Sequence, residues 1–112
     1  MITENTQTQM RKGILEYCIL AIISREEIYA SDIIEELRKA KLVVVEGTIY
    51  PLLTRLKNNQ LLTYKWVESV SGPPRKYYEL SESGKEVLTQ LHETWKELVF
   101  SVNTALEPKQ NS

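Results

Sequence analysis

Residues 47–78 of this chain hold Arg55, Lys57, Lys65, Arg75 and Lys76 against a single acid, Glu68. Guanidinium and ammonium groups at that density attract a polyanion. Thr48, Tyr50, Asn58 and Asn59 lie among them, and such side chains donate hydrogen bonds to phosphates and base edges. The chemistry on offer is therefore recognition of nucleic acid. The bland counterpart is a solvated basic face, and only the scaffold beneath the charges separates the two. The whole chain of 112 residues carries a net charge of −1, which looks unpromising for a DNA binder. Divided by region, that figure is a near cancellation: +4 over residues 47–78 and −4 over 79–107, where Lys85 and Lys96 face six acids. Residues 1–46 add −2 and Lys109 adds +1. Small overall charge predicts modest nonspecific affinity, with binding resting on fit.

Catalysis has little to draw on. There is one His, one Cys, no Ser/His/Asp grouping and no Gly-rich phosphate loop beside a strand, so the chain does not read as an enzyme and no cofactor is implied. A lone Cys18 excludes an internal disulfide and a four-Cys metal site; within Ile14–Leu20 it reads as a small buried hydrophobe. His92 has no second His to share a metal, and is either a surface residue or a pH-sensitive neighbour of Trp95. The longest apolar stretch, Ile19 to Ile23, is far short of the ~20 residues that cross a bilayer, and the N-terminus lacks a signal-peptide pattern. The expectation is a cytoplasmic protein with no membrane partner.

The elements that must position these residues follow from periodicity. Residues 1–8 and 107–112 are polar and aperiodic and read as flexible tails. From Gln9 to Ser24, Met10, Ile14, Cys18, Ala21 and Ile22 recur with a helical period, widened by Leu15, Ile19 and Ile23. A second helix is expected from Ser31 to Ala40, capped by Ala30 or Ser31, with Ile33, Ile34 and Leu37 inward. Lys41 to Glu46 is β-branched and reads as an extended connector. A third helix is expected with Thr48 as its cap, which puts Pro51 in the first turn, where a missing amide hydrogen costs nothing. Ile49, Leu52, Leu53 and Leu56 then share one face, leaving Tyr50, Thr54, Arg55 and Lys57 on the others. Leu62–Val67 and Lys76–Leu80 alternate as strands, joined by a loop over residues 68–75 that two prolines stiffen. A last helix starts at Ser81; Val87, Leu88, Leu91, Trp95, Leu98, Val102 and Leu106 describe a seam that fits another helix. The fold expected is mainly α with a β-hairpin wing: a winged helix–turn–helix whose second helix enters a major groove, followed by a long C-terminal helix.

Three stretches resemble the PadR family of bacterial transcriptional regulators: Gly47-Thr48-Ile49-Tyr50-Pro51-Leu52-Leu53-Thr54-Arg55-Leu56, then Leu61-Leu62, then Gly72-Pro73-Pro74-Arg75-Lys76-Tyr77-Tyr78-Glu79-Leu80-Ser81-Glu82-Ser83-Gly84. The likeness extends in weaker form from Ile14 to Leu106. It implies a DNA-binding domain over 9–80 and a dimerisation helix over 81–106. It also implies a homodimer that represses by binding a palindromic operator in double-stranded DNA, and in many members release by a small phenolic or planar aromatic ligand. Where the family has a Gly-Tyr pair leading into the second helix, this chain has Ala30-Ser31, with a tyrosine at Tyr29 instead. A contact made by the usual tyrosine is not carried over.

The expected DNA-binding residues are Thr48, Tyr50, Thr54, Arg55, Lys57, Arg75 and Lys76. Thr48 and Tyr50 resemble the family's positions at the start of the recognition helix, where amides and a phenol can share a phosphate; packing against the wing is the other reading of Tyr50. Arg55 and Lys57 read guanine edges or only phosphates. Arg75 and Lys76 follow a stiff tip and suit a minor groove or phosphate, or else form a solvated hairpin end. Tyr77 and Tyr78 point to opposite faces, one of them to the core. Residues His92 to Leu98 resemble the drug-sensing branch of the family, in which a tryptophan from each subunit sandwiches a flat compound, so Trp95 is the ligand-binding candidate; filling the dimer seam is its alternative role. Val99, one turn on, is no acid, so a preference for cationic compounds is not implied. The alternative function is a winged-helix module that binds ligands or proteins without specific DNA affinity.

Overall fold

A computed structural model describes residues 4–42 and 46–109. The chain runs α1 (Glu4–Arg25), β1 (Ile28–Tyr29), α2 (Ala30–Lys39), α3 (Glu46–Asn58), β2 (Leu62–Ser69), β3 (Gly72–Leu80) and α4 (Glu82–Leu106). The three strands form an antiparallel sheet in the order β1-β3-β2. This is the expected mainly helical winged helix–turn–helix.

Its core is aliphatic. Ile19, Leu20 and Ile23 of α1, Ile33 and Leu37 of α2, Ile49 and Leu53 of α3, and Leu62 of β2 are almost wholly buried, with Tyr78 and Leu88 closing the edge. α1 packs against α2, α4 and β3, so it is the central helix of the domain. Its buried line runs through Leu15, Ile19, Leu20, Ile22 and Ile23; Met10, expected inward, is 79% exposed. The helix was expected from Gln9 with residues 1–8 as a tail, yet α1 begins at Glu4, so residues 4–8 are helical. Residues 4–12 contain neither Gly nor Pro, so nothing stops the helix from propagating past its buried part. Residues 1–3 of the expected tail lie outside the described residues.

Local chemistry moved other boundaries. β1 was not anticipated; two residues give no periodicity, and Ile28 and Tyr29 pair with Tyr78 and Tyr77. The residue before α2 is Tyr29, not Ala30 or Ser31, and its side chain makes no capping bond. α2 closes with Lys41 at φ 64° and the Leu42 amide donating to the Leu37 carbonyl at 2.9 Å, a left-handed stop that normally favours glycine. Within the expected connector, residues 43–45 lie outside the described residues, and Glu46 is already helical. Thr48 is therefore no cap, and Pro51 sits inside α3 beyond its first turn. The Gly47 carbonyl that its amide would have engaged lies in exposed backbone, where water compensates.

The wing is longer than expected. β2 reaches Ser69 and β3 starts at Gly72, leaving a two-residue turn, Val70-Ser71, rather than a loop over 68–75. Neither turn residue has positive φ, so the turn tends to splay its strands; a register shift between Val67 and Ser69 absorbs the misfit. Pro73 and Pro74, adjacent in β3, would direct their amides to opposite sides: one side is the edge that β1, covering only Tyr77 and Tyr78, leaves open, and the other meets β2 at the register shift between Val67 and Ser69, where the ladder is interrupted.

Ser81 then fixes α4 to the rest. Its hydroxyl accepts from the Gly84 amide at 2.9 Å and donates to the Gln60 carbonyl at 2.6 Å, joining the end of α3 to the start of α4. α4 ends at Leu106, as expected; Glu107–Lys109 follow without regular structure, and residues 110–112 lie outside the described residues.

Candidate nucleic-acid interface

α3 buries Ile49, Leu53 and Leu56 and exposes Thr48, Tyr50, Thr54, Arg55 and Lys57. A helix turns about 100° per residue, so positions seven apart share a flank. Tyr50 and Lys57 lie on the flank toward the wing, where the Lys57 ammonium stands 5.1 Å from the centre of the Tyr64 ring. Thr48 and Arg55 lie on the opposite flank, toward α1, where the Arg55 guanidinium pairs with Glu16 at 3.0 Å. Between the flanks, Pro51, Thr54 and Asn58 form the outward ridge. The five expected α3 residues thus share one exposed side, but Arg55 is engaged within the chain.

Strand alternation divides the wing residues. Leu62, Tyr64, Trp66, Lys76, Tyr78 and Leu80 lie on the face turned to α3 and the core; Thr63, Lys65, Arg75, Tyr77 and Glu79 lie on the other. Lys76 stacks 4.3 Å from the Tyr64 ring centre and 5.4 Å from that of Trp66. Arg75, its neighbour in sequence, packs instead on Tyr29 at 5.0 Å. There the Tyr29 and Tyr77 rings approach to 3.7 Å, and a hydrogen bond with Tyr29 pushes the Tyr77 hydroxyl up to about 12. Tyr78 is the core tyrosine of the pair, and burial raises it. Lys65 donates to Glu27 at 2.9 Å, and that bond holds its ammonium above the usual lysine range.

Ion pairs therefore sort the five cations. Arg55 and Lys65 have acidic partners; Lys57, Arg75 and Lys76 have none among the described residues and lie instead against aromatic rings. Stacking orients an ammonium or guanidinium without neutralising it, which leaves its full charge for a phosphate.

Trp95 lies apart from this surface. It lines a groove of about 560 Å³ between α1 and α4 with Met10, Ile14, Tyr17, Leu91 and Leu98. His92 is exposed but not isolated: its Nδ1 hydrogen-bonds the Tyr17 hydroxyl at 2.6 Å, and Tyr17 also lies 6.4 Å from the Trp95 ring. Cys18 is half-buried, and that burial pushes its thiol up, which disfavours the thiolate.

Sequence reasoning missed Glu16, Tyr29, Tyr64 and Trp66. For Tyr64 and Trp66 a signal existed, since strand pairing sets them across from Tyr78 and Lys76. For Glu16 no local signal exists, because its partner comes from α3.

A family profile described as the transcriptional regulator PadR-like family matches residues 19–90. A crystal structure of a PadR-like transcription factor from Bacteroides fragilis is 58% identical, covering 91% of this chain and 99% of that one, with a TM-score of 0.77. A PadR-like transcriptional regulator from Bacillus cereus is 40% identical over 90% of this chain and 99% of its own, with a TM-score of 0.81. A Streptococcus transcriptional regulator is 36% identical over 89% and 99%, with a TM-score of 0.82.

Proposed function

This chain belongs to the PadR-like family of transcriptional regulators, and from that premise we propose that it acts as a homodimeric repressor on a palindromic operator, relieved by a small planar aromatic or phenolic ligand. The observation that supports this reading most is the placement of Lys57, Arg75 and Lys76. They are the cations of the basic segment with no acidic partner among the described residues; Lys57 and Lys76 stand on the wing flank of the exposed α3 ridge, and Arg75 on the other face of the wing.

In this reading the ridge of Thr54 and Asn58 faces base edges in a major groove. Thr48 and Tyr50 donate to phosphate at the helix start, and Lys57 and Lys76 neutralise the backbone on the wing side. Arg75 reaches the backbone from the other face of the wing. Arg55 contributes once DNA competes with Glu16. Two copies present two such surfaces to half-sites about one helical turn apart. A ligand stacking on Trp95 between α1 and α4 bears on the geometry of the pair, because the same groove is bordered by the apolar side of α4. Action on DNA fits a cytoplasmic protein, and among the described residues no helix is long and apolar enough to cross a membrane.

The test is binding of a labelled duplex covering the chain's own upstream region at several salt concentrations. Log affinity should fall linearly with log salt, with a slope of about −0.9 per phosphate neutralised. Tyr50→Ala should lower affinity while the oligomeric state is unchanged. A flat salt response, or equal affinity for an unrelated duplex, overturns the reading.

A further inference from the structure

We propose that Trp66 is a DNA contact in its own right, its indole packing on sugar and base edges in the groove beside the recognition helix. This rests on the reading that the chain binds duplex DNA, and goes beyond it by assigning an uncharged residue of the wing. Along the inner face of β2 the side chains pass from core to solvent in steps of two residues: Leu62 is buried, Tyr64 half-buried, Trp66 62% exposed. Each step is about 7 Å. The indole thus stands beyond the edge of the core, on the wing face turned to α3.

An indole is costly to leave in water, and this one is held rather than covered. The Tyr64 ring meets it edge-on at 6.3 Å and 87°, and Lys76, its cross-strand partner, lies 5.4 Å from its centre. Lys57 reaches the same Tyr64 ring from α3. The result is a row of Lys57, Tyr64, Lys76 and Trp66 that continues the wing flank of the recognition helix.

The chemistry of this row selects its occupant. A second copy of the chain is better served by α4, where exposed apolar residues occur in an acidic segment; an apolar protein surface set on Trp66 would have to desolvate Lys76 and Lys57. A nucleic acid satisfies both halves at once. Its phosphates take the ammonium groups, and its sugars and base edges offer flat, weakly polar surface to the ring. Minor grooves in particular accept apolar side chains from flanking elements.

The test uses the full-length chain, in which Trp66 and Trp95 are the two tryptophans. In a Trp95→Phe background all tryptophan emission reports Trp66, and saturation with the upstream duplex should quench or shift it. Trp66→Ala should weaken binding about 10-fold and leave the salt slope unchanged, since no charge is lost. Lys76→Gln should flatten that slope by about one. Trp66→Phe should keep most of the affinity, and thermal melts of the unbound variants check folding. Wild-type affinity for Trp66→Ala, or unaltered emission on saturation, overturns the proposal while the DNA reading stands. If the wild-type chain binds no duplex, both fall together.

Discussion

Gly84 lies one turn into α4, where the helix start meets the chain leaving α3. A Cβ built there would stand 2.1 Å from the Leu61 carbonyl oxygen, and that oxygen also accepts the Ser81 amide at 3.1 Å. The carbonyl cannot retreat without breaking the joint. Replacing an exposed mid-helix glycine with alanine normally stabilises by about 1 kcal/mol. Here the sign reverses. Gly84→Ala should lose about 2 kcal/mol, read as a drop in Tm on the order of 8 °C. Gly13→Ala is the internal control: a Cβ at Gly13 meets nothing within 4 Å, so that variant should be neutral or stabilised. The sequence displayed the Ser81–Gly84 motif plainly, but the reason for a glycine at that position is a backbone contact from 23 residues earlier, which no local pattern encodes.

Among the elements, the type of each long segment was legible, while the ends, those of α4 apart, were not. The buried part of α1 announced itself through Leu15, Ile19 and Ile23, whereas the exposed part had no apolar stripe to mark it and was held in the helix only by the absence of a breaker. Pro73 and Pro74 read as a loop because proline removes a ladder donor; they fit a strand because one side of β3 is an open edge there and the other meets the register shift in β2, properties of sheet order and pairing. The candidate site was legible as a list and not as an arrangement. Thr48, Tyr50, Thr54, Arg55 and Lys57 do share the exposed side of α3, yet alternation places Arg75 and Lys76 on opposite wing faces, and Glu16 engages Arg55. That ion pair carries a prediction at this scale. Glu16 and Tyr17 are adjacent on α1, so the helix that borders the Trp95 groove also holds a cation of the recognition helix. Both partners are partly exposed, so the pair adds little to stability, and Glu16→Gln should leave Tm nearly unchanged. It should nevertheless free Arg55 for phosphate, raising DNA affinity a few-fold at low salt and steepening the salt slope by about one. Unchanged affinity and slope would place Arg55 outside the interface.

At the scale of the molecule the chain is elongated. Its extents are 68 × 33 × 22 Å and its radius of gyration is 17.1 Å, where a compact chain of this length has about 13 Å. The excess comes from α4 and the start of α1, which run beyond the core. Leu88 is buried and Val87 and Leu91 pack on the core, but from Trp95 onward the apolar stripe of α4 borders the open groove with α1 and is only partly covered: Leu98 and Val102 are each 50% exposed and Leu106 74%. A monomer leaves half or more of Leu98, Val102 and Leu106 in water, while a second copy burying the stripe would gain about half or more of the roughly 1.5–3 kcal/mol that full burial of a large side chain gives. The proposed dimer therefore predicts that sedimentation equilibrium at micromolar concentration gives twice the chain mass, and that Leu98→Glu with Val102→Glu gives the chain mass. Because those positions lie in the part of α4 that leaves the core, the monomeric variant should keep its helical circular dichroism. Its affinity for a two-half-site duplex should fall toward that of a single half-site, since one recognition helix and one wing remain. A double variant that stays dimeric would move the interface off this stripe, and with it the argument that Trp95 lies where two copies meet.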